Sequence, residues 1–335
     1  MEVREMGPKT RLVIVGTVVA AIALGCNVKK KPEKPGNSRP QAPKVREAAV
    51  PGFFYPAEKA ELAEMVDSFL ADVKAEPLEN VRGLISPHAG YRFSGQTAAY
   101  AYKQLLERDV RTIILMGPSH TALFRGASIP DATAYSTPLG NVPVSPRAKE
   151  LAKIRPLITN PPCEVRRPAW WSQSPKKAPP FGEDTPHTWE HSLEVQLPFL
   201  QRTLKDFTII PIVFAEERLV DVEKVARVLM DHMDDTTVFV VSSDLSHYKP
   251  YAEARRLDTA CTKAICDLDL DAMKQQEACG KAPILALMHI AKQRQWKAKL
   301  LDYRNSGDTA GDRSAVVGYA AIVFFEPKEE GTENR

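Results

Sequence analysis

The chain has 335 residues, of which 44% are hydrophobic and 26% are charged, as is typical of one large or two medium globular domains. This composition excludes a collagen-like, a wholly disordered or a multi-span membrane protein. Residues 26–47 carry seven basic and two acidic side chains, whereas residues 48–335 carry 35 basic and 38 acidic ones. The slightly acidic body argues against a nucleic-acid partner, because phosphate binding needs clustered Lys and Arg.

The N-terminus has the pattern of an export signal. Lys9 and Arg11 precede a 14-residue apolar run, Leu12–Gly25, which is shorter than the roughly 20 residues of a membrane-spanning helix. The run ends in Ala23-Leu24-Gly25-Cys26, which resembles the lipobox of bacterial lipoproteins. We expect residues 1–25 to be a lipoprotein signal peptide and the bacterial protein to be exported, with membrane contact only through a lipid anchor. An uncleaved signal anchor and an unlipidated signal peptide are the alternatives.

The remainder of the chain divides by composition. Residues 26–47 are rich in Lys and Pro and poor in apolar side chains, which predicts a disordered basic tether. Residues 48–327 suffice for a single domain with one sizeable core, followed by a short tail at 328–335. Seven of the 27 prolines fall within 160–186, which we interpret as an inserted surface loop.

The pattern of the body predicts an α/β fold. Short β-rich runs alternate with helical patterns, which favours a single domain with a mostly parallel open sheet and helices on both faces. The predicted strands are Val81–Ser86, Thr112–Gly117, Phe207–Val213, Thr236–Ser242, Ala298–Tyr303 and Ala315–Phe325. The predicted helices are Ala57–Ala71, Gly95–Glu107, Trp189–Leu204, Arg218–Asp234, Tyr251–Leu268, Asp269–Ala278 and Ala282–Arg294.

Three predicted strands are each followed directly by histidine. His88 follows Val81–Ser86, His120 follows Thr112–Gly117, and Asp244 and His247 follow the strand at 236–242. Ligands of open α/β sheets bind outside the carboxyl ends of the strands. If the three strands are neighbours, we expect these side chains to converge. Imidazole nitrogens with a carboxylate suit a divalent first-row metal, and the same residues could also act as acid and base without a metal.

A second motif competes with this interpretation. His187-Thr188-Trp189-Glu190-His191 matches the H-x-x-E-H signature, in which two histidines one helical turn apart bind zinc and the glutamate acts as base. A zinc hydrolase is therefore a minor alternative. The motif is short, and its first histidine lies next to the proline-rich insertion.

Several longer strings occur in an order that resembles the Memo family, whose bacterial and archaeal members are called AmmeMemoRadiSam system protein B. The strings are VPGFFYP (50–56), SPHAGYRFSG (86–95), GPSH (117–120), TPLG (137–140), EHSLEVQLPFL (190–200), SSDLSHY (242–248), CGKAPI (279–284) and SGDTAGDRSAVVGYAA (306–321). The resemblance covers nearly all of residues 50–325.

The resemblance implies a fold similar to that of the class III extradiol dioxygenases. It also implies a pocket lined by the histidines of the HAG, GPSH and EHS motifs and by the SSD segment, which correspond here to His88, His120, His191, Asp244, Ser246 and His247. Some family members bind iron or copper through two of these histidines and a cysteine that we align with the SSD segment, at the position of Ser246. A serine there would make capture of a soft metal less favourable.

These observations lead to one principal hypothesis. The protein binds a divalent metal, with iron expected first and zinc or copper as alternatives, through His88, His120 and His191. Glu190, His191, Asp244 and His247 are the candidate catalytic residues, and the reaction is oxidative, dioxygenase-like, or hydrolytic on an unknown small molecule or peptide. The alternative is a non-catalytic module that binds a peptide in the same groove.

Overall fold

The computed structural model describes residues 44–328. The predicted signal peptide, most of the predicted tether and residues 329–335 lie outside this range. Within it, no helix is both long and apolar enough to cross a bilayer. The helices are α1 (Lys59–Ala71), α2 (Tyr91–Tyr102), α3 (Arg147–Leu151), α4 (Leu197–Thr203), α5 (Val222–Met230), α6 (Tyr251–Cys266), α7 (Leu270–Lys274), α8 (Lys281–Gln293) and α9 (Ser306–Thr309).

The strands form one large sheet and two small ones. They are β1 (Val45–Arg46), β2 (Val81–Ser86), β3 (Thr112–Pro118), β4 (Ala122–Leu123), β5 (Ala127–Ile129), β6 (Ala134–Thr137), β7 (Gly140–Pro143), β8 (Leu157–Thr159), β9 (Glu164–Val165), β10 (Thr208–Phe214), β11 (Thr237–Ser242), β12 (His247–Lys249), β13 (Lys297–Asn305) and β14 (Val316–Phe325).

The predicted α/β fold is confirmed, and its parallel part is the centre of the large sheet. Strands β2, β11, β3 and β10 lie side by side in that order and run parallel. On the flanks, β14 pairs with β2, β13 with β14, and β5 with β10 in antiparallel fashion, whereas β8 at one edge pairs with β5 in parallel fashion. Strand β11 lies between β2 and β3, so the carboxyl ends of these three strands are adjacent.

Helices cover both faces of the sheet, as predicted. On β3, Ile113 and Leu115 pack into the core formed with α1, α2 and α4. Ile114 and Met116 point the other way, into the core formed with α5, α6 and α8. This alternation follows from the two-residue period of a strand, and burial on both faces explains why the central strands are apolar at most of their positions.

The folded part begins before the end of the predicted tether. Val45 and Arg46 form β1, which pairs with β6, and the Arg46 side chain is only 5% exposed. Its guanidinium forms an ion pair with the fully buried Glu194. The prediction of disorder up to Glu47 was therefore wrong for these residues, because a charge pattern does not reveal that one arginine has a buried partner 148 residues away.

Glu194 connects the N-terminal segment to the centre of the chain. Besides Arg46, its carboxylate accepts hydrogen bonds from the backbone of Ala49 and Val50 and from the hydroxyl of Tyr55, at 2.6–2.9 Å. Arg46 in turn donates to the backbone carbonyls of two residues, His187 at 3.0 Å and Glu190 at 2.6 Å. The first residues of the fold thereby hold the segment that carries Glu190.

The helix predicted from Trp189 begins later. Residues 189–191 are not helical, Ser192 and Leu193 form a turn, a single 3₁₀ turn spans Glu194–Gln196, and α4 starts at Leu197. The carboxylate of Glu190 accepts the backbone N–H of Ser192 at 2.8 Å, so this side chain satisfies a backbone group locally and favours a turn.

The inserted segment at 160–186 packs against the same region. Arg167 and Asp184 form a buried ion pair at 2.8 Å, and Asp184 also accepts the indole N–H of the fully buried Trp189 at 2.6 Å. Trp171 and Phe181 flank the Arg167 guanidinium. The insertion therefore fixes the orientation of the residue that immediately precedes Glu190.

Replacing Glu194 by Gln should lower the free energy of unfolding by about 3–5 kcal/mol, because it leaves the buried charge of Arg46 without a counter-charge. Urea unfolding followed by circular dichroism measures the loss.

The matched control for this prediction is Asp67→Asn, which breaks the exposed pair of Asp67 with Arg202 and should cost under about 1 kcal/mol. Equal losses of unfolding free energy in the two variants would show that the buried ion pair contributes no more to stability than the exposed one.

Candidate metal centre

The residues at the carboxyl ends of the central strands converge on one site. His88 follows β2 and His120 follows β3, and their ring centroids are 5.0 Å apart. His191, from the segment before α4, lies 4.6 Å from His120 and 5.5 Å from His88. The topology thus brings together three histidines that are separated by up to 103 positions in the chain.

His88 is buried and held at both ring nitrogens. Nδ1 lies 2.8 Å from the hydroxyl of Ser242 at the end of β11, and Nε2 lies 3.2 Å from the sulfur of Cys279. Its backbone N–H donates to Asp244 at 2.8 Å. Burial and the neighbouring His120 and His191 hold the pKa of His88 well below its ordinary value, so this imidazole is neutral, the form that binds metals.

His120 is oriented by Glu190. The Glu190 carboxylate accepts the His120 backbone N–H at 2.6 Å and the ring Nδ1–H at 2.9 Å. Burial alone would lower the pKa of His120, but the ion pair with Glu190 raises it well above its ordinary value. Burial would likewise raise the pKa of Glu190, and His120 lowers it instead. A carboxylate that fixes Nδ1 leaves Nε2 as the metal-binding atom of His120.

Cys279 completes this group, and sequence reasoning missed it. Its sulfur faces His88, and its backbone N–H donates to the Asp244 carbonyl at 3.3 Å, while Asp244 N–H donates to the sulfur at 3.2 Å. Burial raises the pKa of the thiol, and the hydrogen bond with His120 opposes that shift. The signal was the CGKAPI string itself, in which a cysteine and a glycine stand directly before a predicted helix.

The structure places the thiol of the metal-capable group at Cys279 and not at Ser246, the position that the resemblance suggested for a cysteine. Ser246 is buried, and its backbone N–H donates to Asp258 at 2.9 Å, while its hydroxyl has no hydrogen-bond partner among the described residues. It does not belong to the groups that could hold a metal. The SSD segment instead places Asp244 against Cys279, which approaches from the start of α8.

Two glycines make this close approach possible. A Cβ on Gly280 would lie 2.7 Å from the Ser242 carbonyl oxygen and 2.6 Å from the Ser243 Cβ. A Cβ on Gly117, at the end of β3, would lie 2.6 Å from the Ser192 hydroxyl. Larger residues would push Cys279 away from β11 and the Glu190 segment away from β3.

His191 lies on the side of the site that faces the cavity. Its Nδ1 is 3.6 Å from Glu190, and its ring lies 4.6 Å from the ring of Phe54. Burial and the charge of His120 lower the pKa of His191 to about 4, so it is neutral near pH 7. It can therefore accept a proton from a bound molecule.

Asp244 and His247 belong to the segment that follows β11 and lie in the wall of the same cavity. Burial raises the pKa of Asp244 to about 6, although the backbone N–H of His88 stabilises its charged form. His247 lies on β12 and its Nδ1 contacts the Leu245 carbonyl at 2.9 Å. Both residues line the cavity, but neither belongs to a metal-capable group among residues 44–328.

Two overlapping groups in the described part of the chain can hold a metal ion. His88, His120 and Cys279 form one, and His120, Glu190 and His191 form the other, with the ligand atoms of each group within 4.8 Å of one another. A cavity of about 500 Å³ opens in front of them. Its aromatic walls are Phe54, Phe93, Tyr248 and Tyr319, and no Lys or Arg among residues 44–328 lines it.

The structure contradicts the H-x-x-E-H interpretation. His187 is buried away from the site, with Nδ1 at 2.7 Å from the Tyr135 hydroxyl and Nε2 at 3.0 Å from the Ser128 carbonyl. Both nitrogens are therefore occupied. In addition, residues 187–191 are not helical, so His187 and His191 do not share one helical face.

Comparison with known proteins agrees with the motif strings. The family model described as Memo-like protein matches residues 46–323. A MEMO1 family protein of Thermoplasma volcanium is 33% identical over 290 residues, covering 83% of this chain and 98% of that protein. Relatives from Archaeoglobus fulgidus and Aquifex aeolicus are 35% and 34% identical, each covering 84% of this chain, and 99% and 100% of their own lengths.

One solved structure also aligns with the chain. It is the crystal structure of the uncharacterized protein JW3007 from Escherichia coli K12, with a TM-score of 0.46 and 13% identity. The alignment covers 72% of this chain and 99% of that protein.

The buried imidazole of His187 should make stability depend on pH. Burial and the charge of Arg46 lower its pKa to about 3, so between about pH 6.5 and 3 the unfolded chain binds a proton that the folded chain does not. Stability is therefore lost as the pH falls through this window, by about 1.4 kcal/mol per pH unit from this group. The difference in unfolding free energy between the wild type and His187→Gln should shrink by about 2 kcal/mol from pH 7 to pH 5.

The control for the pH series is Ser128→Ala, which removes a hydroxyl 3.1 Å from His187 but keeps the titrating ring. This variant should retain the full pH dependence of the wild type. An unchanged pH dependence in His187→Gln would refute the assignment.

Proposed function

The chain belongs to the Memo family, and from this premise we propose that it is a metal-dependent oxidoreductase whose ion is held by His88, His120 and Cys279. The observation that carries the proposal is the convergence of two imidazole nitrogens and one thiol beside a cavity that the two imidazoles line. We assign His191 to the cavity as acid or base and Glu190 to the orientation of His120.

The donor set supports a soft or borderline metal. Two imidazoles and a thiolate favour iron, copper or zinc over magnesium or calcium, which prefer oxygen ligands. When bound, iron or copper would supply one-electron redox chemistry. Iron remains our first candidate. Copper is favoured more strongly than the histidines alone suggested, because the group includes the thiol of Cys279.

The residues around the centre divide the other tasks. His191, neutral near pH 7, can take a proton from a substrate that lies between its ring and the walls formed by Phe54 and Phe93. Glu190 stays ionised and keeps Nδ1 of His120 occupied. The cavity of about 500 Å³ suits a small molecule, and its described lining, which contains aromatic side chains and Asp244 but no Lys or Arg, favours an uncharged or cationic aromatic compound over an anionic one.

Loading the full-length protein with Co²⁺ under anaerobic conditions tests the ligand set. The wild type should bind about one ion and show the near-ultraviolet band of a thiolate–cobalt bond. His88→Gln, His120→Gln and Cys279→Ser should each weaken binding by more than about 100-fold, since each removes a ligand rather than a supporting group. Metal analysis and titration followed by absorbance measure both effects.

Two variants serve as controls in the cobalt titration. Cys163→Ser removes a thiol of the proline-rich insertion, and His191→Gln removes the imidazole that we assign to substrate rather than metal; both should keep the ion and the band. Retention of the band in Cys279→Ser would show that the thiolate is not a ligand. A wild type that binds neither cobalt nor iron nor copper would leave the peptide-binding module as the better hypothesis.

We also propose that the protein works outside the cytoplasm on a lipid anchor at Cys26. The basic residues, the short apolar run and the cysteine that follows it support this location. In a bacterial host, Cys26→Ala should move the mature protein from the membrane to the soluble fraction, while Cys163→Ala should leave it in place. Recovery of an unprocessed wild-type chain from the cytoplasm would contradict the proposal.

A further inference from the structure

Behind His88, away from the metal-binding cavity, lies a buried group of polar side chains. Ser242 at the end of β11 and Gln196 in the 3₁₀ turn before α4 are both completely buried, as is Tyr102 at the end of α2. Their polar groups form a chain of hydrogen bonds that ends at the metal-binding histidine. It runs from the Tyr102 hydroxyl to the Gln196 amide, then to the Ser242 hydroxyl, and finally to Nδ1 of His88. None of these residues except His88 contributes to the metal-capable groups.

A backbone carbonyl fixes the orientation of the Gln196 amide. The carbonyl oxygen of Pro87 lies 2.9 Å from Nε2 of Gln196 and can only accept a hydrogen bond. The NH₂ group of Gln196 must therefore face Pro87, with its second hydrogen directed at the Ser242 hydroxyl at 2.8 Å. The amide oxygen accepts from Tyr102 at 2.7 Å on the other side.

A second carbonyl fixes the Ser242 hydroxyl. The carbonyl oxygen of Ser192 lies 2.6 Å from the Ser242 oxygen, so the single hydroxyl hydrogen is donated to Ser192. One lone pair of that oxygen already accepts from Gln196. The other lone pair of the Ser242 oxygen faces Nδ1 of His88 at 2.8 Å. The Ser242 oxygen can therefore only accept a hydrogen bond from His88.

We infer that Ser242 and Gln196 are positioning residues that keep the proton of His88 on Nδ1 and its lone pair on Nε2, directed at Cys279. The role of this arrangement rests on the proposed metal centre. The position of the proton on His88, however, follows only from the carbonyls of Pro87 and Ser192, which fix the donors of Gln196 and Ser242. A neutral imidazole in water prefers the opposite tautomer, with the proton on Nε2, which would block the metal-binding atom.

The tautomers of His88 and His120 are thus fixed by different hydrogen-bond partners. Glu190 holds Nδ1–H of His120 with a charge, whereas the neutral Ser242 hydroxyl holds Nδ1–H of His88. Partners of this kind set the tautomer and ring orientation of a metal-binding histidine, and their loss typically weakens metal binding about 10–100-fold.

The test uses the full-length, metal-free protein with ¹⁵N-labelled histidine. Long-range ¹H–¹⁵N spectra distinguish the two neutral tautomers, and the His88 signals are identified by their loss in His88→Gln. The wild type should show the proton on Nδ1. In Ser242→Ala, the proton should move to Nε2 or distribute between both nitrogens, and Co²⁺ binding should weaken about 10–100-fold.

Two further variants separate positioning from a general effect on the fold. Ser242→Thr keeps the hydroxyl and should retain the wild-type tautomer and affinity. Ser86 is directly paired with Ser242 on the neighbouring strand β2, is equally buried, and its hydroxyl makes no hydrogen bond to His88, Ser242 or Gln196. Ser86→Ala therefore removes the same atom at the same depth and should leave the His88 spectrum unchanged.

The results for this inference and for the proposed function can be told apart. A wild-type His88 with its proton on Nε2 overturns the inference without any variant, whether or not metal binds. An unchanged tautomer in a folded Ser242→Ala also overturns it. A tautomer that shifts as expected in a protein that binds no metal would uphold the inference and reject the metal centre.

Discussion

The buried ion pair between Arg46 and Glu194 is the constraint on which the site depends. Two charges removed from water are tolerated only when their polar atoms find partners; here each of the three Arg46 nitrogens donates a hydrogen bond and the two Glu194 oxygens accept four. Glu194 gathers the N-terminal segment through Ala49, Val50 and Tyr55, and Arg46 holds the carbonyls of the segment that carries Glu190. Each of these hydrogen bonds is directional, so together they fix the position of Glu190. Since Glu190 orients the ring of His120, the site depends on contacts of Arg46 and Glu194 that involve none of the metal ligands.

The sequence predicted the sheet and the part of the site that the sheet positions. His88, His120 and Asp244 could be found because each follows an apolar run that has to be a buried strand, and strand ends meet at one edge. Cys279 could not be found in this way, since it arrives from a helix start, and its contact with His88 spans 191 positions. The predicted end of the tether was wrong for a related reason. The local composition shows only that residues 26–47 are charged, whereas the burial of Arg46 depends on one distant carboxylate.

Two carboxylates close to the same histidines have opposite properties, and their surroundings explain the difference. Glu190 faces His120 and accepts several N–H groups, which keeps it ionised despite burial. Asp244 receives fewer such donors and has a raised pKa, about 6. The first is suited to orienting a ligand permanently, and the second to exchanging a proton near neutral pH. The Memo pocket therefore combines a fixed charge and a variable one around the same metal-capable group.

The origin of the three donors has a further consequence for the folded chain. His88, His120 and Cys279 come from the ends of two strands and the start of a helix, so a single bound ion would join β2 and β3 of the sheet to α8, one of the helices packed on it. Such an ion acts as a reversible cross-link: ligand that binds only the folded form adds about 2.7 kcal/mol of stability at a free concentration 100 times its Kd. Thermal unfolding would then report metal availability, and a chelator would lower the midpoint of the whole domain rather than loosen one loop.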